Sequence, residues 1–79
     1  MPTAYVLINC DLGSEEEILK ELRRLNEVVE LSGVYGVYDI IVKMTGTSPN
    51  DLEYAYSKIR HIDGIKTTST LVAYTKYEF

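Results

Sequence analysis

The sequence holds one cysteine, Cys10, and one histidine, His61. An internal disulfide is therefore excluded. A four-ligand structural zinc site would lack nitrogen and sulfur donors. Glycine-rich phosphate loops are missing as well, since neither G-x-G-x-x-G nor G-x-x-x-x-G-K-S/T occurs. No positively charged region precedes the short apolar run within Met1 to Asn9, so no signal peptide is read there. No stretch approaches the roughly 18 consecutive apolar residues of a membrane span. A soluble, cytoplasmic protein is the default expectation. Basic charge is also scarce. The net charge is −4, whereas nucleic-acid modules carry a basic face. The densest basic group, Lys20, Arg23 and Arg24, is interleaved with Glu15, Glu16, Glu17 and Glu21. That pattern reads as a solvated helix face, and direct nucleic-acid binding is not expected.

The chain has 79 residues, enough for one domain spanning 1–79. A core this small seldom supplies more than about 3–5 kcal/mol without help. With disulfides and metals set aside, the remaining help is oligomerisation.

Six elements fill the chain with no linker or repeat between them. Residues 3–9, β-branched and aromatic, predict a strand. Ser14 opens S-E-E-E, where it can cap a helix and Glu17 can close a capping box. Ile18, Leu19, Leu22 and Leu25 give that helix an apolar stripe, predicting residues 15–26. Strands follow at 28–34 and 38–44, joined through Tyr35 and Gly36 as an antiparallel hairpin. Ser48, Pro49 and Asp51 mark a second helix start. Leu52, Ala55, Tyr56, Ile59 and Ile62 form its stripe, and Gly64 stops it. The last strand is expected at about 66–77. The order β-α-β-β-α-β predicts an α+β, ferredoxin-like sandwich: a four-stranded antiparallel sheet with two helices on one face.

A sheet with water on its second face should alternate apolar and polar residues. This one does not. Ala4, Val6 and Ile8 point one way and Tyr5 and Leu7 the other. Tyr38, Ile40, Val42 and Met44 oppose Asp39, Ile41 and Lys43. Leu71, Ala73 and Tyr77 oppose Val72 and Tyr74. Two helices cover one face, and each large apolar side chain left on the other costs about 1.5–3 kcal/mol. The expectation is a homodimer with the sheets packed face to face.

Candidates for chemistry are few. His61 lies near the end of the second helix, where a cation suits the helix dipole. Cys10 has no basic neighbour in sequence and reads as a packing residue. Two clusters stand out. In Gly33-Val34-Tyr35-Gly36-Val37-Tyr38-Asp39, Gly36 permits positive φ and close approach of a partner. Unpaired turn amides there could hold a carboxylate, and Asp39 could accept from an ammonium group. An ordinary hairpin turn with a solvated Asp39 fits the same residues. In Thr67-Thr68-Ser69-Thr70, four hydroxyls suit a polar small molecule, while the preference of threonine for strands also accounts for them and is the simpler reading.

These two clusters also carry a family resemblance. The run Ser32-Gly33-Val34-Tyr35-Gly36-Val37-Tyr38-Asp39-Ile40-Ile41-Val42-Lys43 resembles the G-x-Y-D-hydrophobic signature of the Lrp/AsnC effector domain. Ile62-Asp63-Gly64-Ile65-Lys66-Thr67-Thr68-Ser69-Thr70-Leu71-Val72 resembles that family's I-x-G-V-x-x-T-x-T ending. The resemblance covers nearly the whole chain in the right order. It implies the amino-acid-responsive RAM domain, here without the helix-turn-helix that usually precedes it. It further implies dimers through the sheets, larger rings of dimers, and a free amino-acid effector between dimers. Carried over by position, Gly36, Val37, Tyr38 and Asp39 would hold the effector's ammonium and carboxylate. Thr68, Ser69 and Thr70 would face the same pocket, and Val34 and Tyr35 would tune selectivity. Full-length Lrp/AsnC regulators are implied as partners in mixed oligomers. The expectation is a regulatory, non-enzymatic domain that needs no cofactor. The alternative is a small oligomeric ferredoxin-like enzyme of monooxygenase or isomerase type. An RNA-binding module stacking bases on Tyr5, Tyr38 and Tyr74 is disfavoured by the charge.

Overall fold

The computed structural model describes residues 2–75 and residue 77. Among these, the chain runs β1 (Thr3–Cys10), α1 (Glu15–Arg23), β2 (Val28–Gly33), β3 (Ile40–Thr45), α2 (Pro49–Arg60) and β4 (Ile65–Ala73). The strands form one sheet in the order β2-β3-β1-β4, with every neighbouring pair antiparallel. Each helix links two strands that are not neighbours, so both crossovers are split βαβ units. The predicted ferredoxin-like α+β fold is the observed one.

Period-two alternation decides which side of the sheet each residue joins. Ala4, Val6, Ile8 and Cys10 of β1 and Ile40, Val42 and Met44 of β3 are buried under the helices. Ile18 and Leu22 of α1 and Leu52, Ala55 and Ile59 of α2 close over them at helical spacing. β1 carries the most continuous buried row and sits between two partners, where its backbone groups are paired on both edges.

The second helix starts as predicted. Pro49 takes its first position, and the Asp51 carboxylate accepts from the Ser48 amide at 3.2 Å and the Thr47 amide at 3.0 Å. The Thr47 hydroxyl also donates to it and is the largest of the bonds that lower the Asp51 pKa below its ordinary value of 3.8. A depressed folded-state pKa contributes stability that is complete above the ordinary carboxylate value. That contribution is lost as the pH falls through the folded value. Asp51→Asn is expected to lower the Tm at neutral pH and to flatten the acid limb of a plot of Tm against pH, measured by thermal denaturation.

Several boundaries and one cap differ from the sequence expectation. Helix α1 ends at Arg23 rather than residue 26, because the chain tightens into i→i+3 bonds: the Arg24 amide donates to Glu21 and the Leu25 amide to Leu22. That turn keeps Leu25 against the core while redirecting the backbone into β2. The expected capping box at Ser14 does not form. The Ser14 hydroxyl donates to the Asp11 carbonyl at 2.6 Å instead, and its backbone is already helical, with φ −96° and ψ −1°. The hairpin has a wider loop than the short turn expected through Tyr35 and Gly36, so Tyr38 and Asp39 precede β3 rather than open it. The final strand stops at Ala73, not residue 77, and Lys76 of the expected strand lies outside the described residues.

Gly64 ties these ends together. Its carbonyl accepts from the Asp11 amide at 2.7 Å, its φ is +94°, and an added Cβ would lie 2.8 Å from the Ser14 Cβ. Helix α2 already ends at Arg60 with His61 as its cap, so the expected stop at Gly64 is not what ends it; Gly64 lies in the turn before β4, where the β1–α1 loop comes closest.

Candidate functional site

The end of the sheet where β1 finishes gathers three loops. Asp11 joins Gly64, the Asp39 amide donates to the Ile8 carbonyl at 2.9 Å, and the Val34 amide donates to the Asp39 carbonyl at 2.9 Å. Residues 34–39 thus form a closed loop anchored at both ends to the sheet. Gly36 sits in it at φ +132°, a conformation that strains any side chain. Tyr35 and Leu12 are fully exposed and Val37 is 82 % exposed, while Val34, Tyr38 and Asp39 are half-buried. Water thus wets several large apolar side chains at one end of a small domain.

Asp39 is committed on one oxygen. Its Oδ2 accepts from the Cys10 amide at 2.9 Å and lies 3.8 Å from Cys10 Sγ. Alternation had assigned its side chain to the uncovered face with Ile41 and Lys43. It turns onto Cys10 because it stands before the strand and follows the loop. The Cys10 thiol is pushed up from its ordinary value, first by burial and further by the Asp39 and Glu15 carboxylates, with a bond from Ser14 partly offsetting them. It therefore stays a protonated thiol packed in the core.

The hydroxyl cluster divides by strand alternation. Thr68 pairs in register with Ile8 and Thr70 with Val6, which places both under the helices. Ser69 pairs with Leu7 on the opposite face, and Thr67 accepts there from the Asn9 side-chain amide at 3.1 Å. Thr68 shares a 2.9 Å hydrogen bond with the Tyr56 phenol. That bond, followed by the nearby Thr70 hydroxyl, draws the Tyr56 pKa below its ordinary value. Thr68 therefore holds α2 to the β4 edge of the sheet, while the loop 34–39 joins β2 to β3, on the far side of β1 from that edge. Tyr56 read from the sequence as one more residue of an apolar stripe, because nothing local marks its hydroxyl partner. Leu12 was likewise unmarked, although an isolated leucine between Asp11 and Gly13 is the kind of signal that could have singled it out. His61 caps α2, its Nδ1 2.7 Å from the Ser57 carbonyl.

The uncovered face of the sheet presents a second apolar surface. Tyr5 pairs with Leu71 and Leu7 with Ile41, and Thr3 with Ala73 extends the patch. Tyr5 is 36 % and Leu71 55 % exposed. Lys43 and Glu30 form its polar border, 3.8 Å apart.

The Lrp/AsnC ligand binding domain matches residues 3–78. The chain belongs to this family. Among curated relatives, the Lrp/AsnC domain is similar to the HTH-type transcriptional regulator FL11 of Pyrococcus furiosus, at 28 % identity over 69 residues. That match covers 87 % of this chain and 46 % of the regulator, so the chain spans about half the length of the curated relatives it matches. Among solved structures, a hypothetical protein of Pyrococcus horikoshii superposes with a TM-score of 0.85 at 37 % identity, covering 98 % of this chain and 94 % of that one. AsnC of Escherichia coli superposes with a TM-score of 0.88 at 26 % identity, covering 99 % of this chain and 54 % of AsnC. The domain is thus a ligand-binding one related to transcriptional regulators. No helix among the described residues is long and apolar enough to cross a membrane.

Proposed function

We propose that this Lrp/AsnC domain senses a free amino acid in the cytoplasm. In this reading residues 1–79 act as one regulatory, non-enzymatic unit that dimerises through its uncovered sheet face. The dimers then assemble further through the loop ends. The supporting observation is the pair of separate apolar surfaces on a ligand-binding domain of this family: Tyr5, Leu7, Ile41 and Leu71 on the face, and Leu12, Tyr35 and Val37 at the end. Two surfaces allow dimers and then higher oligomers, with effector sites at the second seam.

The proposed effector site is built on residues 34–39. Backbone amides around Gly36 would take the carboxylate, and Asp39 would take the ammonium on the oxygen that Cys10 leaves free. Val34, Tyr35, Val37 and Tyr38 would surround the effector's side chain. From β4, Thr68, Ser69 and Thr70 would support the pocket, with Thr68 acting through its bond to Tyr56 of α2. No metal or cofactor enters this reading. Full-length Lrp/AsnC regulators would be reached by sharing the same sheet face in mixed oligomers, without direct nucleic-acid contact by this chain.

A ligand that binds the assembled state alone stabilises it by RT ln(1 + [L]/Kd), about 2.7 kcal/mol at one hundred times Kd. A thermal-shift screen of the twenty amino acids, read beside solution mass, is expected to find one or a few that raise Tm and oligomer size together. In calorimetry, Asp39→Ala is expected to weaken that binding at least tenfold while leaving the dimer mass unchanged. An unaltered affinity would remove Asp39 from the site.

A further inference from the structure

Two acids at the end of β1 lack a cation. Asp39 and Glu15 are both half-buried, and their carboxylates meet at one atom, lying 3.8 Å and 3.9 Å from Cys10 Sγ. Neither belongs to an ion pair among the described residues, where the pairs are Lys20–Glu17, Arg24–Glu21 and Lys43–Glu30. No lysine, arginine or histidine occurs in residues 1–19 or 25–42. The basic residues of α1 lie in its last turn, at the far end from Glu15. His61 and Lys66 flank the third loop at this end, but His61 turns Nδ1 to the Ser57 carbonyl and Lys66 is exposed on β4. The place of Glu15 in the first turn of α1 suits the helix dipole but supplies no full counter-charge. Half-buried like charges side by side are costly when no opposite charge answers them. The Cys10 thiol registers this field, since both carboxylates push it upward.

The same end carries donors without acceptors. The amides of Tyr35, Gly36, Val37 and Tyr38 make no backbone hydrogen bond among the described residues, while those of Val34 and Asp39 on either side are tied. Successive free amides in a turn can converge on an anion. The loop thus offers a partner for one carboxylate, and a second, acidic group would meet Asp39 and Glu15 instead. A second copy that met this end through the same surface would bring the same acids, so assembly adds to the charge rather than answering it. No group of His, Cys, Asp and Glu side chains among the described residues is arranged to hold a metal ion. An organic cation is left to answer the carboxylates.

We propose that the effector of this domain is a basic amino acid, with its side-chain cation on Glu15. Its ammonium takes Asp39 and its carboxylate takes the amides of the loop. Two carboxylates that touch one sulfur are close enough for the two cationic ends of a single chain to reach both. Val34, Tyr35, Val37 and Tyr38, placed above around the effector's side chain, suit the alkyl stem that a basic residue carries. This inference rests on the effector reading of residues 34–39 and names the chemical class that site selects.

Lysine and norleucine are matched probes, sharing a stem and differing in the terminal ammonium, and glutamate tests the opposite charge. In ¹H–¹⁵N titrations of the full chain, lysine is expected to shift the amides of Cys10, Glu15 and residues 34–39 saturably. It is expected to bind about tenfold more tightly than norleucine, the gain of one hydrogen bond to a charged group, while glutamate gives no saturable shift. Glu15→Gln is expected to bring lysine down to the affinity of norleucine. Equal affinity for lysine and norleucine in the wild type overturns the inference, leaves the effector reading standing and needs no variant to fold. Cadaverine has both cationic ends and no carboxylate, and it is expected to bind more weakly than lysine. Equal binding of cadaverine would mean an acidic patch that collects any cation, and would also overturn the proposal. If no amino acid shifts these residues, the effector site itself is removed and the inference with it.

Discussion

Leu71→Glu is expected to convert the protein from a dimer to a monomer at micromolar concentration while leaving its fold intact. Leu71 sits on the uncovered face beside Tyr5 and is more than half exposed in the single chain, so a glutamate there meets water rather than the core. Against a second sheet the same carboxylate would be buried without a partner, and the effective penalty for an unpaired ion is several kcal/mol. Each large apolar side chain that the seam would cover contributes about 1.5–3 kcal/mol, so one buried charge offsets much of the gain from the patch. Light scattering would give the mass and circular dichroism the fold. Tyr54→Glu, at an equally exposed position on α2, is the control and is expected to leave the mass unaltered. A Leu71→Glu protein that remains dimeric would place the seam elsewhere, and a wild type that is already monomeric would remove the dimer altogether.

The features that follow from local periodicity were legible in the sequence. Tyr5 and Leu7 opposite Ala4, Val6 and Ile8 need only strand alternation, and the apolar second face follows directly. The start of α2 is equally local, because Pro49 and Asp51 act within four residues of Thr47. The misplaced boundaries share a different cause. Ser14 has the right type and spacing for a cap, but its hydroxyl goes to Asp11, within a loop held against Gly64 from the far end of the chain. Asp39 alternates correctly with Ile41 on paper, but its amide is taken by Ile8 of β1, and the strand begins at Ile40, two residues later than expected. In both cases a long-range hydrogen bond overrides a sound local preference.

The candidate site divides along the same line. Residues 34–39 could be grouped from the sequence because they are contiguous. Whether Thr68, Ser69 and Thr70 belong beside them depends on the register of β4 against β1, which no local pattern sets. That register sends Thr68 and Thr70 inward to Tyr56 and Ser69 outward.

Ile8→Ala is expected to leave the chain largely unfolded at low concentration. Ile8 is fully buried at the centre of the central strand, on the rung with Ile40 and Thr68 and in the same buried cluster as residues from both helices. Truncating such a side chain costs about 2–5 kcal/mol, the transfer term plus the cavity left behind. A lone core of this size offers about 3–5 kcal/mol, so the loss approaches the whole stability of one chain. Urea unfolding followed by circular dichroism would measure it as a drop in midpoint with little change in slope. The contrast with Ile41→Ala is informative. Ile41 is on the opposite face, pairing with Leu7, and its truncation removes surface that contributes through association. Its cost should therefore grow as protein concentration rises into the dimeric range, whereas the intrinsic loss in Ile8→Ala is present in every chain at any concentration. If the two variants lost equal stability at all concentrations, the uncovered face would not gain its stabilisation from a second copy.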